Sequence, residues 1–246
     1  MAGNARFTRV LVGGFVMSSQ TSSVTVTTEA ERQDTTPLEA TGKEYVVMPP
    51  SSTIAINGYT TVSATDTGTW EKVARDTFTT ADTVSRIFSE SSTYTGQPAD
   101  VLPSAMASTL ALDFPVDGVM TVNAQFGSTV GLRHGICIYS GTVSATGTTT
   151  PIDLGAVGSA GGYAYLHVTA EGGTGTNADI DLESATTSGG TYASEGTFTF
   201  SGIGDYSLTL SGTVNRYVRL NVTDLGGATS WTVHAIACVD GVTYYN

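Results

Sequence analysis

Cysteine is almost absent from this 246-residue chain, which contains only Cys137 and Cys238. Two cysteines far apart in sequence cannot build the disulfide framework of a small secreted domain. Both lie in apolar, strand-like runs, and an unpaired cysteine behaves as a small hydrophobic residue. We therefore expect two buried free thiols, which fits synthesis in a reducing cytoplasm.

Lysine is equally scarce: Lys43 and Lys72 are the only two, and 10 basic residues stand against 22 acidic ones. Proteins that hold nucleic acid tightly neutralise its phosphates with clustered Lys and Arg side chains. The net charge of −12 and the lack of a basic cluster exclude that class. An acidic protein repels a polyanion, so DNA can pass nearby without specific binding.

Long hydrophobic runs are also missing, and none approaches the length of a membrane span. Residues 10–17 follow Arg6 and Arg9 and superficially resemble a secretory signal. Two glycines divide this run, however, and no small-residue cleavage site precedes Gln20. The segment predicts a first β-strand or an ordered arm, and no membrane partner is expected.

Threonine and serine dominate instead, with 42 Thr and 24 Ser beside 29 Gly. Threonine suits a pleated sheet because its branched Cβ fills space while its hydroxyl faces water. The composition therefore predicts an all-β protein that presents threonine rather than charge to its surroundings.

The N-terminal half carries three strand patterns, at residues 21–28, 45–48 and 53–57. The polar residues 29–44 between the first two predict a long loop. Within residues 79–88, Val84, Ile87 and Phe88 lie at helical spacing behind a possible Thr80 N-cap, which predicts one helix packed on a sheet.

A hairpin is predicted around Asp117 and Gly118. Its return strand, residues 119–126, alternates apolar side chains with Thr121, Asn123 and Gln125. The second face of this strand is therefore polar but uncharged, which is unusual for an ordinary solvent-facing surface.

The C-terminal half is predicted to be a separate domain. Residues 141–150 are poor in hydrophobic side chains and are typical of a linker. Short strand patterns then recur with glycine-rich turns between them, a rhythm that indicates a β-sandwich. These patterns lie at residues 163–169, 178–183, 196–200, 206–210, 216–222 and 231–239. The predicted domains are residues 1–145 and 151–246.

No sequence motif for a serine nucleophile, a phosphate-binding loop or a zinc peptidase occurs. His134 and Cys137 are three residues apart in a strand and so face opposite sides. Asp179, Asp181 and Glu183 share one strand face, but a straight strand spreads their carboxylates rather than converging them on calcium. We therefore expect no catalytic residue, no metal site and no cofactor.

Arg216 and Arg219 are the only basic residues beyond residue 150, where nine acidic residues occur. Guanidinium groups among so many carboxylates are expected to form ion pairs. The sequence leaves two kinds of partner open, acids of the same domain and acids of a neighbouring subunit.

Three segments carry a family resemblance: Ile-Asp-Leu-Gly-Ala at 152–156, Gly-Gly-Tyr-Ala-Tyr-Leu-His-Val-Thr at 161–169, and Gly-Thr-Val-Asn-Arg-Tyr-Val-Arg at 212–219. In this order and spacing they resemble the C-terminal half of the major tail protein of long-tailed bacteriophages, the tail tube subunit. The family's central Gln-x-Ser-x-Asp strand is matched only weakly here, by residues 182–184 and 190–192. The N-terminal half is similar in its layout of strand, polar loop, strand pair and helix.

The resemblance implies a tail-tube-type β-sandwich or barrel domain with one packed helix, followed by an Ig-like C-terminal β-sandwich that decorates the outside. It implies a structural virion protein rather than an enzyme. Subunits of this family form hexameric rings that stack into a tube, and their hairpins join into a barrel around the channel for DNA ejection. Other tail proteins are the further partners, and the implied location is the virion tail after assembly in the host cytoplasm.

Within such a tube, the uncharged face of the return strand is expected to line the channel, because a wall without cations does not retain DNA. The predicted loop is expected to contact the next ring, since loops of this length are usually functional or disordered. Its candidate contact residues are Glu31, Arg32, Asp34 and Glu39.

Two other functions fit the composition. A capsid decoration or head-fibre protein shares the threonine-rich β character, and ring or tube formation by the isolated subunit separates it from a tube protein. A carbohydrate-binding adhesion module fits a β-sandwich with scattered aromatic residues. The aromatic candidates are Tyr163, Tyr165, Tyr192 and Trp231, and sugar binding by residues 151–246 is the distinguishing test.

Overall fold

The computed structural model describes residues 8–30, 32–35, 42–43, 45–47, 51–60, 70–115 and 118–244. In these ranges the regular structure is almost entirely β-strand, with one α-helix, α1 (Trp70–Asp76), and one 3-10 helix, Ser18–Gln20, so the predicted all-β class is confirmed. The strands are β1 Arg9–Val12, β2 Phe15–Val16, β3 Thr21–Glu29, β4 Arg32–Asp34, β5 Tyr45–Val47, β6 Ser51–Tyr59, β7 Asp82–Ile87, β8 Pro98–Asp113, β9 Thr121–Ser128, β10 Arg133–Val143, β11 Gly147–Thr148, β12 Ile152–Asp153, β13 Gly162–Gly172, β14 Ala178–Ala185, β15 Ala193–Phe200, β16 Gly204–Leu210, β17 Tyr217–Asp224 and β18 Ser230–Val239.

The chain forms two compact units, each built from more than one stretch of sequence. The first unit contains residues 1–19, 85–101 and 133–246, and the second contains residues 20–84 and 102–132. Of the stretch predicted as a linker, residues 141–143 belong to β10 and residues 147–148 form β11, which pairs with β17. Independent folding of residues 1–145 and 151–246 stays a prediction.

The second unit is built on an antiparallel sheet of β3, β6, β9 and β8, in that order. Alternate residues of its two central strands are buried, including Ile54, Ile56 and Phe126. The indole of Trp70 in α1 packs at 6.2 Å from the Phe126 ring, measured between centroids. The helix therefore covers the apolar face of this sheet and leaves the opposite face open.

The helix predicted over residues 79–88 is wrong, because this segment forms strand β7 and the helix occurs earlier, at α1. The Phe88 amide donates to the Pro98 carbonyl at 2.9 Å, next to the pairing of β7 with β8. Val84, Ser85 and Ile87 are all buried, so both faces of the strand are covered. A strand buried on both faces loses its alternation and can imitate helical spacing.

Gly58 of β6 lies against Trp70 of the helix. A Cβ at this position would overlap the Gln20 carbonyl oxygen and would lie 3.0 Å from the Trp70 indole. We expect Gly58→Ala to lower the free energy of unfolding by about 2 kcal/mol, because a crowded core must shift to admit the methyl group. Denaturant unfolding followed by tryptophan fluorescence measures the change.

Gly127 in β9 provides the matched control, since a Cβ there meets nothing within 4 Å. Gly127→Ala should therefore leave stability unchanged or raise it slightly, because alanine restricts the unfolded chain. Equal unfolding midpoints for the two variants would show that the close approach of β6 to the helix is not a constraint.

The first unit contains a β-sandwich. One layer is formed by β16, β13, β18 and β10 in that order, and the other by β11, β17, β14 and β15. Side chains from both layers share one core, in which Phe200 and Trp231 pack edge to face at 5.2 Å. The strand positions predicted for residues 163–239 are confirmed, with ends that differ by a few residues.

In the layer that contains β13 and β18, these two strands are buried on both faces over most of their length. Leu166 and Val168 point into the sandwich core, whereas Tyr165 packs on the other side with Leu11 of β1 and Ile87 of β7. The run at residues 10–17 thus forms the strands β1 and β2, as predicted. Because both faces of β13 and β18 are covered, buried polar side chains on these two strands must find internal partners.

The helix α1 is seven residues long. None of the described segments forms a helix long and apolar enough to cross a membrane.

Candidate functional site

The candidate site is the open face of the four-stranded sheet in the second unit. The strand register arranges its side chains in cross-strand rows, and none of them is buried. We call this set of residues the polar face. Its rows are, at one end, Glu29 and Ser51; then Thr27, Thr53, Gly127 and Met106; Thr25, Ala55, Gln125 and Thr109; Ser23, Asn57, Asn123 and Ala111; and, at the other end, Tyr59, Thr121 and Asp113.

Hydrogen bonds connect the middle of the polar face across three strands. The Asn123 amide nitrogen Nδ2 donates to Asn57 Oδ1 at 2.6 Å, and Asn57 Nδ2 donates to Ser23 Oγ at 3.0 Å. Cross-strand side-chain pairs of this kind stabilise a sheet and hold its register. The polar side chains are thereby held in place instead of extending freely into solvent.

The polar face is almost without charge. Its ionisable residues of the Asp, Glu, Lys, Arg and His types are Asp113 and Glu29, which are both acidic and lie in the two end rows. Amide and hydroxyl groups offer hydrogen bonds to water without creating a strong field. The surface therefore lacks the cations that attract a polyanion and release its counterions on contact.

The structure places the three predicted channel residues together on this face. Thr121 and Asn123 are exposed and Gln125 is half-buried, while Val122, between the first two, is buried. The predicted alternation of the return strand is therefore confirmed. That these three residues line a channel in an assembly stays a prediction.

Sequence reasoning missed most of the polar face, which is contributed by strands other than β9. The alternation of β3 and β6 contains the necessary signal, because Thr25, Thr27 and Asn57 follow the same period of two. Their position beside β9 depends on strand pairing across many residues of sequence, which a local pattern does not specify.

The segment predicted as a long loop contains strand structure in its described part. Arg32–Asp34 pairs with Tyr45–Val47, so the interpretation of residues 29–44 as a plain loop is corrected there. Among the candidate contact residues, Arg32 and Asp34 lie in β4 and Asp34 is exposed. Glu31 and Glu39 lie outside the described residues.

Both arginines of the C-terminal half pair with acids of the same unit. Arg216 binds Asp153 through two hydrogen bonds of 2.7 Å, and Arg219 Nε lies 2.8 Å from Glu183 Oε2. The hydrogen bonds from Arg216 lower the pKa of Asp153 to about 2. Arg219 also lies over the Tyr192 ring at 3.8 Å. The sequence left open whether these arginines pair with acids of the same domain or of a neighbouring subunit, and in this chain they pair with acids of the same domain.

The acidic stripe of β14 is engaged by neighbouring side chains. Thr199 donates to Asp179 at 2.6 Å and Thr197 donates to Asp181 at 2.5 Å, both across to β15. Within the described ranges, no group of three or more His, Cys, Asp or Glu side chains could hold a metal ion. These carboxylates act as hydrogen-bond acceptors within the sheet.

The histidines of the doubly covered layer are structural. His167 Nε2 lies 2.8 Å from Ser85 Oγ, and its Nδ1 lies 2.7 Å from the Gly13 carbonyl oxygen. This serine–histidine pair resembles a nucleophile and its base, but both residues are fully buried and no substrate can reach them. Burial lowers the pKa of His167, and it lowers the pKa of His234 to about 3 with help from the Arg9 charge.

The two cysteines are buried and free, as predicted. Burial raises the pKa of the Cys137 thiol to about 12 and also raises that of Cys238. Thiols held in the protonated form are poor nucleophiles.

The aromatic residues considered for sugar binding do not form one exposed platform. Tyr165 and Trp231 are buried in the first unit, while Tyr163 and Tyr192 are half-buried. Arg133 covers the Tyr163 ring at 3.1 Å. Sugar rings stack on open aromatic faces, so this set offers little surface for them.

No protein-family model matches the chain, and no curated protein matches it. Among solved structures, the chain is similar to a protein in the virion of a native gene transfer agent particle. The two sequences are 15% identical, the match covers 54% of this chain and 98% of that chain, and the TM-score is 0.39. It is also similar to the Dit protein of phage SPP1, described as a hub adsorption apparatus, with 14% identity, coverage of 93% and 98%, and a TM-score of 0.34.

A further similar structure is the baseplate of the anti-feeding prophage, with 13% identity, 52% of this chain and 89% of that chain covered, and a TM-score of 0.33. These neighbours are structural components of phage tails, gene transfer agents and baseplates rather than enzymes. At TM-scores this low, the similarity by itself carries no argument about function.

Proposed function

We propose that this protein is a structural virion protein of a phage-type tail, whose copies assemble into hexameric rings that stack into the tail tube. In this proposal the polar face lines the channel, and genomic DNA passes without specific binding. Residues 1–145 supply the tube-forming part, and residues 151–246 lie on the outside. The partners are further copies and other tail proteins, and no cofactor takes part.

The observation that carries the proposal is the contrast between the two faces of the four-stranded sheet. One face is covered by α1, through contacts such as Trp70 with Phe126. The other is open, polar and almost uncharged. A free protein surface usually carries mixed charges, whereas a channel for a polyanion needs hydrogen-bonding groups without cations.

The edges of this sheet support assembly. Among the described strands, β3 pairs with β6 alone, so no described strand occupies its other edge. Residues 109–113 of β8 pair with β9 on one side. On the other side, β7 is only six residues long and meets β8 near Pro98, so it cannot reach them. Open edges pair with other strands, and a barrel closed between copies removes every edge.

The family resemblance of residues 152–219 supports the same function, since tube subunits of that family join their hairpins into a barrel. Buried, unpaired cysteines fit assembly in the reducing cytoplasm of a host.

Electron microscopy of the purified full-length protein is the direct test. We expect hollow six-fold rings or tubes, with a fraction of assembled protein that rises with concentration. Sedimentation over the same concentrations provides an independent measure. A folded protein that stays monomeric throughout, or that forms only dimers without a central channel, would be evidence for a decoration or adhesion role.

Proline substitutions test the role of the β3 edge. Backbone N–H groups of adjacent strand residues point to opposite sides, so one of Thr25→Pro and Val26→Pro removes a donor facing β6, and the other a donor facing away. The variant whose lost N–H donor faces away from β6 should keep the monomer's melting temperature within a few degrees, but it should no longer form rings. Normal rings from both variants would exclude this edge from the subunit contact.

A further inference from the structure

The first unit carries a surface cleft of about 540 Å³ at one side of its β-sandwich. At this side β10 ends one layer and β11 ends the other, and residues 144–146 connect the two strands. Parts of all three segments line the cleft, together with Thr95 and Val222. Binding sites for small molecules usually measure about 300–1,000 Å³, so the cleft has the size of a ligand site.

The floor of the cleft is apolar and belongs to the sandwich core. Val143 and Val222 come from opposite layers, and both are buried in the core and line the cleft. Tyr139 also lines the cleft, and its side chain packs against the same core. A ligand that enters the cleft therefore meets aliphatic C–H groups and one aromatic ring at the bottom.

The Tyr139 ring is held in place before any ligand binds. Its hydroxyl donates to the Thr142 carbonyl oxygen at 3.1 Å. The residue between them in space is Gly141, where a Cβ would lie 3.1 Å from the Tyr139 hydroxyl oxygen, so the absence of a side chain there leaves room for the phenol. A ring that is already fixed loses little conformational entropy when a ligand stacks on it.

The rim of the cleft is rich in hydroxyl groups, and none of the lining residues is charged. Thr95 Oγ1 accepts from the Ser140 amide at 3.0 Å, and Thr149 Oγ1 accepts from the Leu220 amide at 3.0 Å, so these two hydroxyls have fixed positions. The remaining lining hydroxyls are exposed and belong to Ser144, Thr146, Thr148 and Thr150. Each hydroxyl can both donate and accept a hydrogen bond.

We propose that this cleft binds a neutral oligosaccharide. A pyranose ring presents C–H groups on its faces and hydroxyl groups around its edge, which matches an apolar floor with one aromatic ring below a rim of hydroxyls. The sugar is neutral because a phosphate or carboxylate ligand needs a positively charged partner, and the lining contains none. None of the four aromatic residues considered from the sequence lines this cleft. The site adds a ligand to the proposed tube function and does not depend on it.

Titration of the full-length protein with maltotetraose, cellotetraose and chitotetraose tests the proposal. Saturation-transfer NMR detects a bound sugar whether or not the protein is assembled, and its concentration dependence gives the Kd. We expect saturable transfer from the protein to the ring protons of at least one of these neutral sugars. The absence of saturable binding for all of them would overturn the proposal.

The double variant Thr146→Val with Thr148→Val tests the position of the site. Valine keeps the shape of threonine and both positions are exposed, so the fold should stay intact while two hydroxyls are lost. The Kd for the bound sugar should rise by about tenfold, because two hydrogen bonds to the ligand are removed. Thr186→Val with Thr187→Val, in the exposed turn after β14, is the matched control and should bind like wild type. Equal affinity of both double variants would place the sugar elsewhere and overturn the site.

Two substitutions of Tyr139 test stacking on its ring. Tyr139→Phe loses the hydrogen bond to Thr142 but keeps the ring, and it should still bind the sugar. Tyr139→Leu keeps an apolar side chain against the core but lacks an aromatic face, and its Kd should rise by about tenfold. Melting temperatures of both variants confirm that they are folded. A Leu variant that binds as tightly as the Phe variant would contradict the assigned contact. Rings and tubes should be unchanged in every variant, so the sugar site and the tube function fail separately.

Discussion

Arginines placed at Thr121 and Gln125 are expected to leave tubes intact but to stop efficient DNA passage. Both side chains lie on the polar face, and the hydrogen bond from Asn123 to Asn57 remains in place in this double variant. Every subunit would then add two cations to the channel wall, and each contact with a phosphate releases counterions and retains DNA. Delivery in an infectivity assay should fall by about tenfold or more, and purified tubes should bind DNA at low salt.

The control for this prediction adds the same charge elsewhere. Thr186→Arg with Ser188→Arg places two arginines in the exposed turn between β14 and β15 of the first unit. This variant should deliver DNA normally. Normal delivery by the Thr121 and Gln125 variant as well would mean that the polar face does not line the channel.

The second large effect concerns acid. His167 and His234 are buried in the doubly covered layer, and the pKa of each is lowered, that of His234 to about 3. Arg9, 3.3 Å from His234 Nδ1, disfavours a second positive charge there, whereas Asp205 partly offsets burial at His167. Both histidines are therefore neutral in the folded protein at pH values where they are charged in the unfolded chain.

The sign of the pH effect follows from this difference. The unfolded chain binds protons at these sites first as pH falls below about 6.5, so acid stabilises the unfolded state. Stability is fully present above that pH and is lost as pH falls toward the folded pKa of His234, about 3. Between pH 6.5 and 4.5, His234 alone should account for a loss of about 2–3 kcal/mol.

Urea unfolding at several pH values checks this prediction. His234→Gln removes the proton-binding group and should flatten the pH dependence by about 1.4 kcal/mol per pH unit in that window. Ser140→Ala keeps the histidine and removes the Ser140 hydroxyl, which lies 2.9 Å from His234 Nδ1 and accepts from Arg9 Nη1 at 3.2 Å, so it should lower stability while keeping the slope. Parallel pH profiles for wild type and His234→Gln would mean that His234 takes up its proton in the folded state.

The sequence alone predicted the parts of this protein that depend on local periodicity. The strands β9, β14 and β17 were recognisable because alternate side chains face opposite sides of a sheet, whatever the sheet later pairs with. The same period separated Thr121, Asn123 and Gln125 from the apolar face of their strand. The composition predicted the all-β class for a related reason, since threonine favours the pleated backbone.

Only the tertiary structure decided which strands become neighbours and which faces are covered twice. Within residues 79–88, the strand β7 forms because β8 supplies its hydrogen-bonding partner. The helical spacing of the apolar residues did not prevent this pairing. His167 in β13 is buried because β1 and β2, which are far from it in sequence, cover the outer side of this strand. Asn57 reached Asn123 in the same way. Local patterns describe how one strand presents its side chains, whereas long-range pairing brings those side chains together into a surface.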